Sequence, residues 1–202
     1  DSNTWGYIAG TGERFEEDVR WTGVLQSILG QDYAVLEEGL PGRTSAYDVG
    51  FSNLLNGLDS LGYVLYSQMP IDVAVIFLGT NDLPEHSLDR MERGVTEVVR
   101  QVKNSNYIIR SKTPIFPNGP KIILIEPIPY ASGCIQSEEK IIESRSFHKA
   151  FVNIAKEMDV DLLEITSFAK ASDIDGIHLT AKTHKLLGKA VAERILSILG
   201  NS

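Results

Sequence analysis

The sequence predicts an α/β fold in which a parallel sheet lies between two layers of helices. Short apolar runs alternate along the chain with longer amphipathic stretches, and polar, glycine-rich segments follow the apolar runs. Strands that alternate with helices form parallel sheets with right-handed crossovers, and the helices then cover both faces of the sheet. The pattern therefore indicates a three-layer α/β/α sandwich.

Four apolar runs are the predicted strands. The second run is apolar at nearly every position, which is typical of a strand buried on both faces. The predicted strands are residues 33–36, 73–78, 121–125 and 160–163.

Four amphipathic stretches are the predicted helices. Apolar side chains recur in them at intervals of three and four residues. Ser87 is suited to cap the second helix, and Gly200 stands where a helix C-terminal glycine is expected. The predicted helices are residues 16–29, 87 to about 109, 137–158 and 181–199.

Length and composition indicate one globular domain. Apolar residues make up 43% of the 202 residues and charged residues 23%, which is ordinary for a globular protein, and we expect a single domain over residues 1–202. The net charge of −8 argues against nucleic-acid binding, which needs a basic surface. No apolar run is long enough to cross a bilayer, so we expect no membrane insertion.

The compartment is predicted from cysteine usage. Cys134 is the only cysteine, so no disulfide can form within the chain, and this suits a reducing environment. No secretory signal is visible from Asp1 onward. We therefore expect a cytoplasmic protein.

The polar segments are expected at one edge of the sheet. Residues 38–43, 79–82 and 126–129 each follow one of the first three apolar runs, while residues 175–178 precede the last helix. Active sites of parallel α/β sheets lie beyond the carboxyl ends of the strands. These segments are therefore the ones expected to build a site.

Residues near the two ends of the chain suggest nucleophilic catalysis. Asp175 stands three residues before His178. At this spacing the carboxylate can hold one ring nitrogen and leave the other free to take a proton from a hydroxyl. Ser2 lies far upstream, and the order Ser, Asp, His occurs in catalytic triads. Ser2 is thus the candidate nucleophile, His178 the base and Asp175 the residue that orients the base.

Acyl transfer also needs hydrogen-bond donors for the oxyanion of the tetrahedral intermediate. Gly42 offers a backbone N–H in a turn where no Cβ obstructs the substrate. Asn81 offers a side-chain amide, and the backbone N–H of Ser2 is a third donor. These three residues are the candidate oxyanion hole.

Four short segments carry a family resemblance. They are residues 1–6 (Asp-Ser-Asn-Thr-Trp-Gly), 39–42 (Gly-Leu-Pro-Gly), 79–82 (Gly-Thr-Asn-Asp) and 175–178 (Asp-Gly-Ile-His). In this order and spacing they resemble the SGNH, or GDSL-type, hydrolase family, whose name records a serine, a glycine, an asparagine and a histidine. Residues 1–6, 14–15, 18–25, 37–40, 43–44 and 175–180 are similar to the arylesterase and acyltransferase branch of that family.

The resemblance implies a fold, an activity and a set of site residues. The fold is a sandwich with a parallel, flavodoxin-like sheet. The activity is hydrolysis of small carboxylic esters through an acyl-serine intermediate, with acyl transfer to alcohols as a variant. The triad and oxyanion donors fall on the residues named above. Further residues expected to contact substrate are Trp5, Tyr7, Pro41, Asp82 and Ile177.

Expectations about cofactors, assembly and the start of the chain follow as well. The activity needs no cofactor, and the sequence has neither a metal-ligand spacing nor a phosphate-binding glycine loop, so we expect no cofactor and no metal. Some members of this branch are oligomers, which leaves a homo-oligomer open. In the family a buried strand precedes the first segment. We therefore expect the first strand of the fold to lie before Asp1 and to be missing from this sequence.

Alternatives stay open for the residues and for the function. His86, His148 and His184 compete with His178 as the base, and Asp173 competes with Asp175. One alternative function is a carbohydrate O-deacetylase acting on acetylated xylan or other acetylated sugars. Others are a lysophospholipase or thioesterase, and a non-catalytic binding module. A binding module would be expected to lack a residue of the site, and none is missing.

Overall fold

The computed structural model describes residues 1–50, 53–107 and 111–200 of the chain. Contacts between Cα atoms divide the chain into two compact units. The first consists of Asp1–Gly42, Ile128–Phe147 and Glu164–Ser202, and the second of Arg43–Pro127 and His148–Leu163. The expectation of a single domain stays a prediction.

Helices and strands alternate along much of the described chain. The helices are α1 (Ser2–Trp5), α2 (Trp21–Leu29), α3 (Gly57–Gln68), α4 (Leu88–Asn104), α5 (Glu138–Ser144), α6 (Phe147–Met158) and α7 (Ala181–Leu199). The strands are β1 (Val73–Ile76), β2 (Lys121–Ile125) and β3 (Asp161–Leu163). None of the helices in the described ranges is both long enough and apolar enough to span a membrane.

The three strands form a parallel sheet within the second unit, in the order β1, β2, β3. Ala74 pairs with Ile122, and Ile123 pairs with Asp161. Residues 122–125 of the central strand are buried, as their unbroken run of Ile and Leu predicts. The predicted parallel sheet is confirmed for these strands, whose ends differ from the predicted ones by at most two residues.

The prediction of a strand at residues 33–36 is wrong. Backbone groups of this run form hydrogen bonds with a side chain of helix α2 instead of with a neighbouring strand. The amide of Gln26 in α2 donates from Nε2 to the Tyr33 carbonyl (3.1 Å). Its Oε1 accepts from the Val35 N–H (2.8 Å). These are the hydrogen bonds that a neighbouring strand would otherwise make, so the backbone is satisfied without pairing.

The predicted start of α4 and end of α7 are confirmed. The Ser87 hydroxyl caps α4 by accepting from the Arg90 N–H (3.3 Å), which satisfies one of the free donors of the first turn. Gly200 ends α7 in the left-handed region, with φ 76°. α4 ends at Asn104, and the predicted extension to about residue 109 falls partly on residues 108–110, which lie outside the described part of the chain.

Two predicted helices are shorter or divided in the structure. α2 begins at Trp21 rather than at residue 16, because Arg20 is extended (φ −62°, ψ 145°). The predicted helix 137–158 is divided into α5 and α6. At the division the Ser144 hydroxyl donates to the Ile141 carbonyl (2.7 Å) and accepts from the Tyr130 N–H (2.9 Å). A serine that bonds the backbone in this way competes with helix continuation.

The apolar pattern did not indicate α3. Gly57 and Gly62 lie within it and weaken both its helix propensity and its amphipathic pattern. Its start is marked by Asn56, whose side chain accepts from the N–H groups of Leu58 and Asp59. An N-cap asparagine was therefore the available sequence signal.

In the first unit, α2 and α7 pack against each other. Gly188 of α7 allows this approach, since a Cβ there would lie 2.7 Å from the Trp21 carbonyl oxygen and 2.8 Å from Val24 Cβ. Leu187 and Val191, which flank the glycine on α7, are fully buried.

A buried histidine joins the same two helices. The N–H of Trp21, at the first position of α2, donates to His184 Nδ1 of α7 (3.2 Å). Burial, the charge of Arg20 and the proximity of His178 lower the pKa of His184 to about 4. At neutral pH the ring is therefore uncharged and able to accept this bond.

We predict that Gly188→Ala destabilises the protein. Alanine is the better helix former by about 1 kcal/mol, but its methyl group would press on the backbone of α2. Overpacking of this kind costs about 1–3 kcal/mol, so the free energy of unfolding should fall. Urea denaturation measures the effect.

Gly62→Ala in α3 is the matched control. A Cβ at that position would contact only the Gln101 side chain, at 3.4 Å, so this variant should keep or gain stability. A gain in both variants would contradict the close approach of α2 and α7 at Gly188.

Candidate active site

Ser2 lies in a single turn of helix, α1, which is held at both ends. At the start, the Asp1 carboxylate accepts from the Asn3 N–H (2.9 Å). At the other end, the N–H groups of Gly6 and Tyr7 both donate to the Ser2 carbonyl (2.9 and 3.0 Å). Ser2 itself is buried. These hydrogen bonds therefore hold the backbone that carries the candidate nucleophile in place.

The turn after α1 requires glycine. Gly6 has φ 89°, a conformation that other residues rarely adopt. A Cβ at Gly6 would also lie 2.5 Å from Cδ of Arg20. This glycine therefore allows α1 to end after one turn with the arginine packed across it.

Glu37 joins three residues of the chain that follows α1. Its carboxylate accepts hydrogen bonds from Arg14, from Arg20 Nε (3.0 Å) and from the Thr22 hydroxyl. Arg14 in turn donates from Nε to the Trp5 carbonyl at the end of α1 (2.6 Å). The family resemblance already pointed to these positions, but nothing in the sequence indicated that Glu37 joins them.

His178 lies between Ser2 and Asp175, all within the first unit. Its Nε2 is 3.1 Å from Ser2 Oγ, and its Nδ1 is 2.7 Å from Asp175 Oδ2. The structure thus brings together the three residues that the sequence proposed as a triad. Both distances are within hydrogen-bonding range.

The loop of Asp175 fixes the orientation of the imidazole. Asp175 Oδ1 accepts from the backbone N–H groups of Ile177 and His178, each at 3.0 Å. Partial burial alone would raise the pKa of Asp175, but the bonds from His178 and Ile177 outweigh it and hold the pKa below its usual value. The ionised carboxylate favours a proton on Nδ1, which leaves the lone pair of Nε2 free to accept from Ser2 Oγ.

The competing residues have other surroundings. His86 packs edge-on against Tyr47, with ring centroids 5.1 Å apart, and His148 Nδ1 is 2.8 Å from Glu126 Oε2. His184 bonds the Trp21 N–H. Asp173 is exposed, and Asp175 occupies the position beside the imidazole. The geometry therefore favours His178 and Asp175 over these alternatives.

Asn3 joins the two ends of the chain at this point. Its side-chain Oδ1 accepts from the Leu179 N–H at 2.9 Å, and both residues are buried. Since Asn3 follows Ser2 and Leu179 follows His178, the bond sets the separation of the backbones that carry the nucleophile and the base. Sequence patterns alone did not indicate this role of Asn3, because a partner 176 positions away leaves no local signal.

The candidate oxyanion donors belong to both units. Gly42, in the first unit, has φ 77° in a turn. Gly39, in the same segment, packs on α1, since a Cβ there would lie 2.2 Å from the Trp5 backbone nitrogen. In the second unit, the Asn81 amide donates to the Arg43 carbonyl (3.0 Å). An amide has two N–H groups, and this bond uses one of them.

The residues expected to contact substrate have different surroundings. Trp5 lies under the guanidinium of Arg14, 5.2 Å from the ring centroid. Tyr7 stacks on His178. Pro41 and Ile177 are half-buried.

The expectation of a substrate contact does not fit Asp82. This residue is fully buried, and its carboxylate accepts from the backbone N–H (3.0 Å) and the hydroxyl (2.6 Å) of Ser45. Burial raises the pKa of Asp82, and the hydrogen bonds from Ser45 oppose this effect. We assign Asp82 to holding the backbone at Ser45.

Within the described ranges, no group of three or more His, Cys, Asp or Glu side chains could hold a metal ion. The contacts among Ser2, His178 and Asp175 are suited to nucleophilic catalysis by Ser2.

Comparison with known families agrees with this geometry. The model of the GDSL-like lipase and acylhydrolase family matches residues 1–186. The chain belongs to this family. The resemblance drawn from the four sequence segments is thereby confirmed.

Solved structures of esterases share the fold. The aryl esterase of M. smegmatis superposes with a TM-score of 0.88 and 32% identity, over 98% of this chain and 95% of that one. Est24, a carbohydrate acetylesterase from Sinorhizobium meliloti, gives a TM-score of 0.89 and 29% identity, over 98% and 96% of the two chains. The predicted fold class, an α/β fold with a parallel sheet of the SGNH type, is confirmed, as is the expectation of an esterase-type family member.

A curated relative also carries an esterase name. An acetylxylan esterase from Xylanibacter ruminicola is 28% identical over 188 residues, which are 85% of this chain. The chain spans about 37% of the length of that relative. The homo-oligomer and the cytoplasmic location stay predictions.

We predict that Asn3→Ala impairs both turnover and stability. The variant leaves the buried Leu179 N–H without its acceptor, which costs about 1–3 kcal/mol of unfolding free energy. Misplacing a reacting group by an ångström can cost about 10²-fold in rate, so kcat should fall by roughly 10- to 100-fold while KM changes less. Urea denaturation and steady-state kinetics with an aryl ester measure the two effects.

Asn153→Ala, at an exposed position of α6, is the control and should match the wild type in both assays. A normal kcat in a destabilised Asn3→Ala protein would show that Asn3 only stabilises the fold.

Proposed function

We propose that this domain is a serine ester hydrolase with Ser2 as nucleophile, His178 as general base and acid, and Asp175 as the residue that orients His178. One observation carries the proposal: the His178 ring bridges Ser2 Oγ at 3.1 Å and Asp175 Oδ2 at 2.7 Å. Membership of the GDSL-like family supports ester substrates. The substrates proposed are small carboxylic esters.

The proposed reaction has two half-reactions. Ser2 Oγ attacks the carbonyl carbon of the ester while its proton passes to His178 Nε2. The bond to the alcohol oxygen then breaks, that oxygen takes the proton from Nε2, and an acyl-Ser2 ester remains. Water, deprotonated by Nε2 in the same way, attacks the acyl carbon and releases a carboxylic acid and free Ser2. An alcohol in place of water would give a new ester.

The oxyanion donors belong to the same proposal and rest on the sequence motifs. Negative charge develops on the carbonyl oxygen in each tetrahedral intermediate, and preorganised N–H groups stabilise it. We assign this task to the backbone N–H groups of Ser2 and Gly42 and to the Asn81 side chain. The Asn81 amide has a second N–H besides the one bonded to the Arg43 carbonyl, which supports its part.

The proposal is tested by Ser2→Ala. This variant should reduce kcat/KM for p-nitrophenyl acetate by about 10⁴-fold or more, because no other group replaces the attacking oxygen. A fluorophosphonate probe should add one adduct to the wild-type protein, mapped to Ser2 by mass spectrometry. Circular dichroism checks that the variant folds.

Ser27→Ala, at an exposed position of α2, is the matched control and should keep full turnover and labelling. Comparable turnover by a folded Ser2→Ala protein would refute the proposal. Absence of both turnover and adduct in the wild type would favour a non-catalytic binding module.

A second candidate is a carbohydrate O-deacetylase. It is favoured by the names of two similar proteins, the carbohydrate acetylesterase of Sinorhizobium meliloti and the acetylxylan esterase of Xylanibacter ruminicola. The triad chemistry would be identical, and only the alcohol part of the substrate would differ.

Substrate competition separates the two candidates. A deacetylase should release acetate from acetylated xylo-oligosaccharides with a kcat/KM above that for ethyl acetate, which also has an unactivated alcohol as leaving group, because sugar contacts add to transition-state binding. A lower value for the sugars, together with turnover of aryl esters of several acyl lengths, would favour the general small-ester hydrolase. Preference for long acyl chains would instead indicate a lysophospholipase or thioesterase.

A further inference from the structure

Tyr7 lies with its ring face against the imidazole of His178. The two ring centroids are 4.2 Å apart and the ring planes are inclined by 27°. We propose that Tyr7 is a positioning residue for the catalytic base, which holds the imidazole plane in line with Ser2 and Asp175 and favours its protonated form during turnover. This inference rests on the proposed role of His178.

The backbone leaves Tyr7 little freedom to move away from the imidazole. Its N–H donates to the Ser2 carbonyl (3.0 Å), so the tyrosine is attached to the turn that carries the nucleophile. Tyr7 also forms an antiparallel bridge with Arg14, and Gly6 just before it accepts from the Phe15 N–H (2.7 Å). The ring is therefore presented to His178 from a fixed backbone position.

The two hydrogen bonds of His178 hold its ring by the two nitrogens. Nδ1 is bonded to Asp175 and Nε2 to Ser2, and rotation of the ring about its Cβ–Cγ bond would carry both nitrogens out of line with these partners. A ring stacked on one face resists this rotation by contact.

Stacking also bears on the charge of the base. His178 carries a positive charge while it holds the proton of Ser2, and the face of an aromatic ring attracts a cation through the ring quadrupole. The transition state, in which this charge develops, is then stabilised more than the neutral resting state. The same attraction favours protonation of the resting imidazole. As the pH is lowered, activity should therefore be lost at a higher pH with the aromatic ring than without it.

Three neighbouring groups bear on the charge of His178. Asp175 contributes a negative charge from the same loop, and Ser2 on α1 is uncharged. His184 of α7 interacts electrostatically with His178, but its pKa of about 4 keeps it neutral over the range in which activity should be lost. A change of charge at His184 therefore does not account for an effect of Tyr7 there.

Tyr7→Leu tests the inference, with Tyr7→Phe as the conservative variant. For p-nitrophenyl acetate, Tyr7→Leu should lower kcat by roughly 10-fold and change KM less than about threefold, because the lost contact acts on the transition state. The pH at half-maximal kcat/KM should fall by roughly 0.5–1 unit. Tyr7→Phe should recover most of kcat and the wild-type pH midpoint.

A readout independent of turnover is the NMR titration of the His178 ring. Its protonation midpoint should be lower in Tyr7→Leu than in the wild type, whether or not the protein hydrolyses the ester. Failure of the proposed function would appear as absent turnover and absent Ser2 labelling, whereas failure of this inference would appear as an unchanged titration. Tyr63→Leu, at an 82% exposed tyrosine of α3, is the control and should change neither measurement.

A variant that keeps the shape of the ring covers the case in which Tyr7→Leu does not fold. Pentafluorophenylalanine at position 7 reverses the ring quadrupole at nearly constant size, so the titration midpoint should fall relative to Tyr7→Phe. Equal loss of kcat in Tyr7→Phe and Tyr7→Leu would overturn the inference and point to the hydroxyl. A change confined to KM would overturn it in favour of a substrate contact.

Discussion

The hydrogen bond from the Leu179 N–H to Asn3 Oδ1 is the contact on which the geometry of the site depends. It joins residues 176 positions apart, each of them next to a reacting residue. Bringing two distant parts of a chain together has an entropic cost that grows only slowly with the length between them. Catalysis needs more than this, because reacting groups must lie within about 0.5 Å of the productive geometry. A buried hydrogen bond between the two backbones meets this need. Side-chain rotation is then the main freedom left to Ser2 and His178.

Two aspartates show how the surroundings give one residue type two tasks. Asp175 is partly exposed and accepts bonds from His178 and Ile177, which keep its pKa below the usual value. Asp82 is buried in the second unit, and burial raises its pKa despite the bonds from Ser45. The carboxylate beside His178 is therefore ionised whenever the imidazole takes a proton, as orientation of the base requires. Asp82 instead fixes a backbone segment.

The sequence predicted best where a pattern is local. The central strand and α7 follow from apolar periodicity, and the spacing of Asp175 and His178 carries its own geometry within one short loop. Residues 33–36 have the composition of a strand, yet their backbone forms hydrogen bonds with the side chain of Gln26 rather than with a neighbouring strand. Asn3 was overlooked because its task depends on a partner at the far end of the chain. Hydrogen bonds from side chains to the backbone of another segment are therefore what a single sequence reveals least.

Packing between α2 and α7 sets where the base lies. His178 precedes Thr180, the N-cap of α7, so a shift of this helix along its axis would carry the imidazole with it. α7 is held in place against α2 by the close contact at Gly188 and by the bond from the Trp21 N–H to His184. A displacement too small to unfold the protein would still lengthen the path of the proton from Ser2. Activity should therefore be more sensitive than stability to conservative substitutions between these two helices.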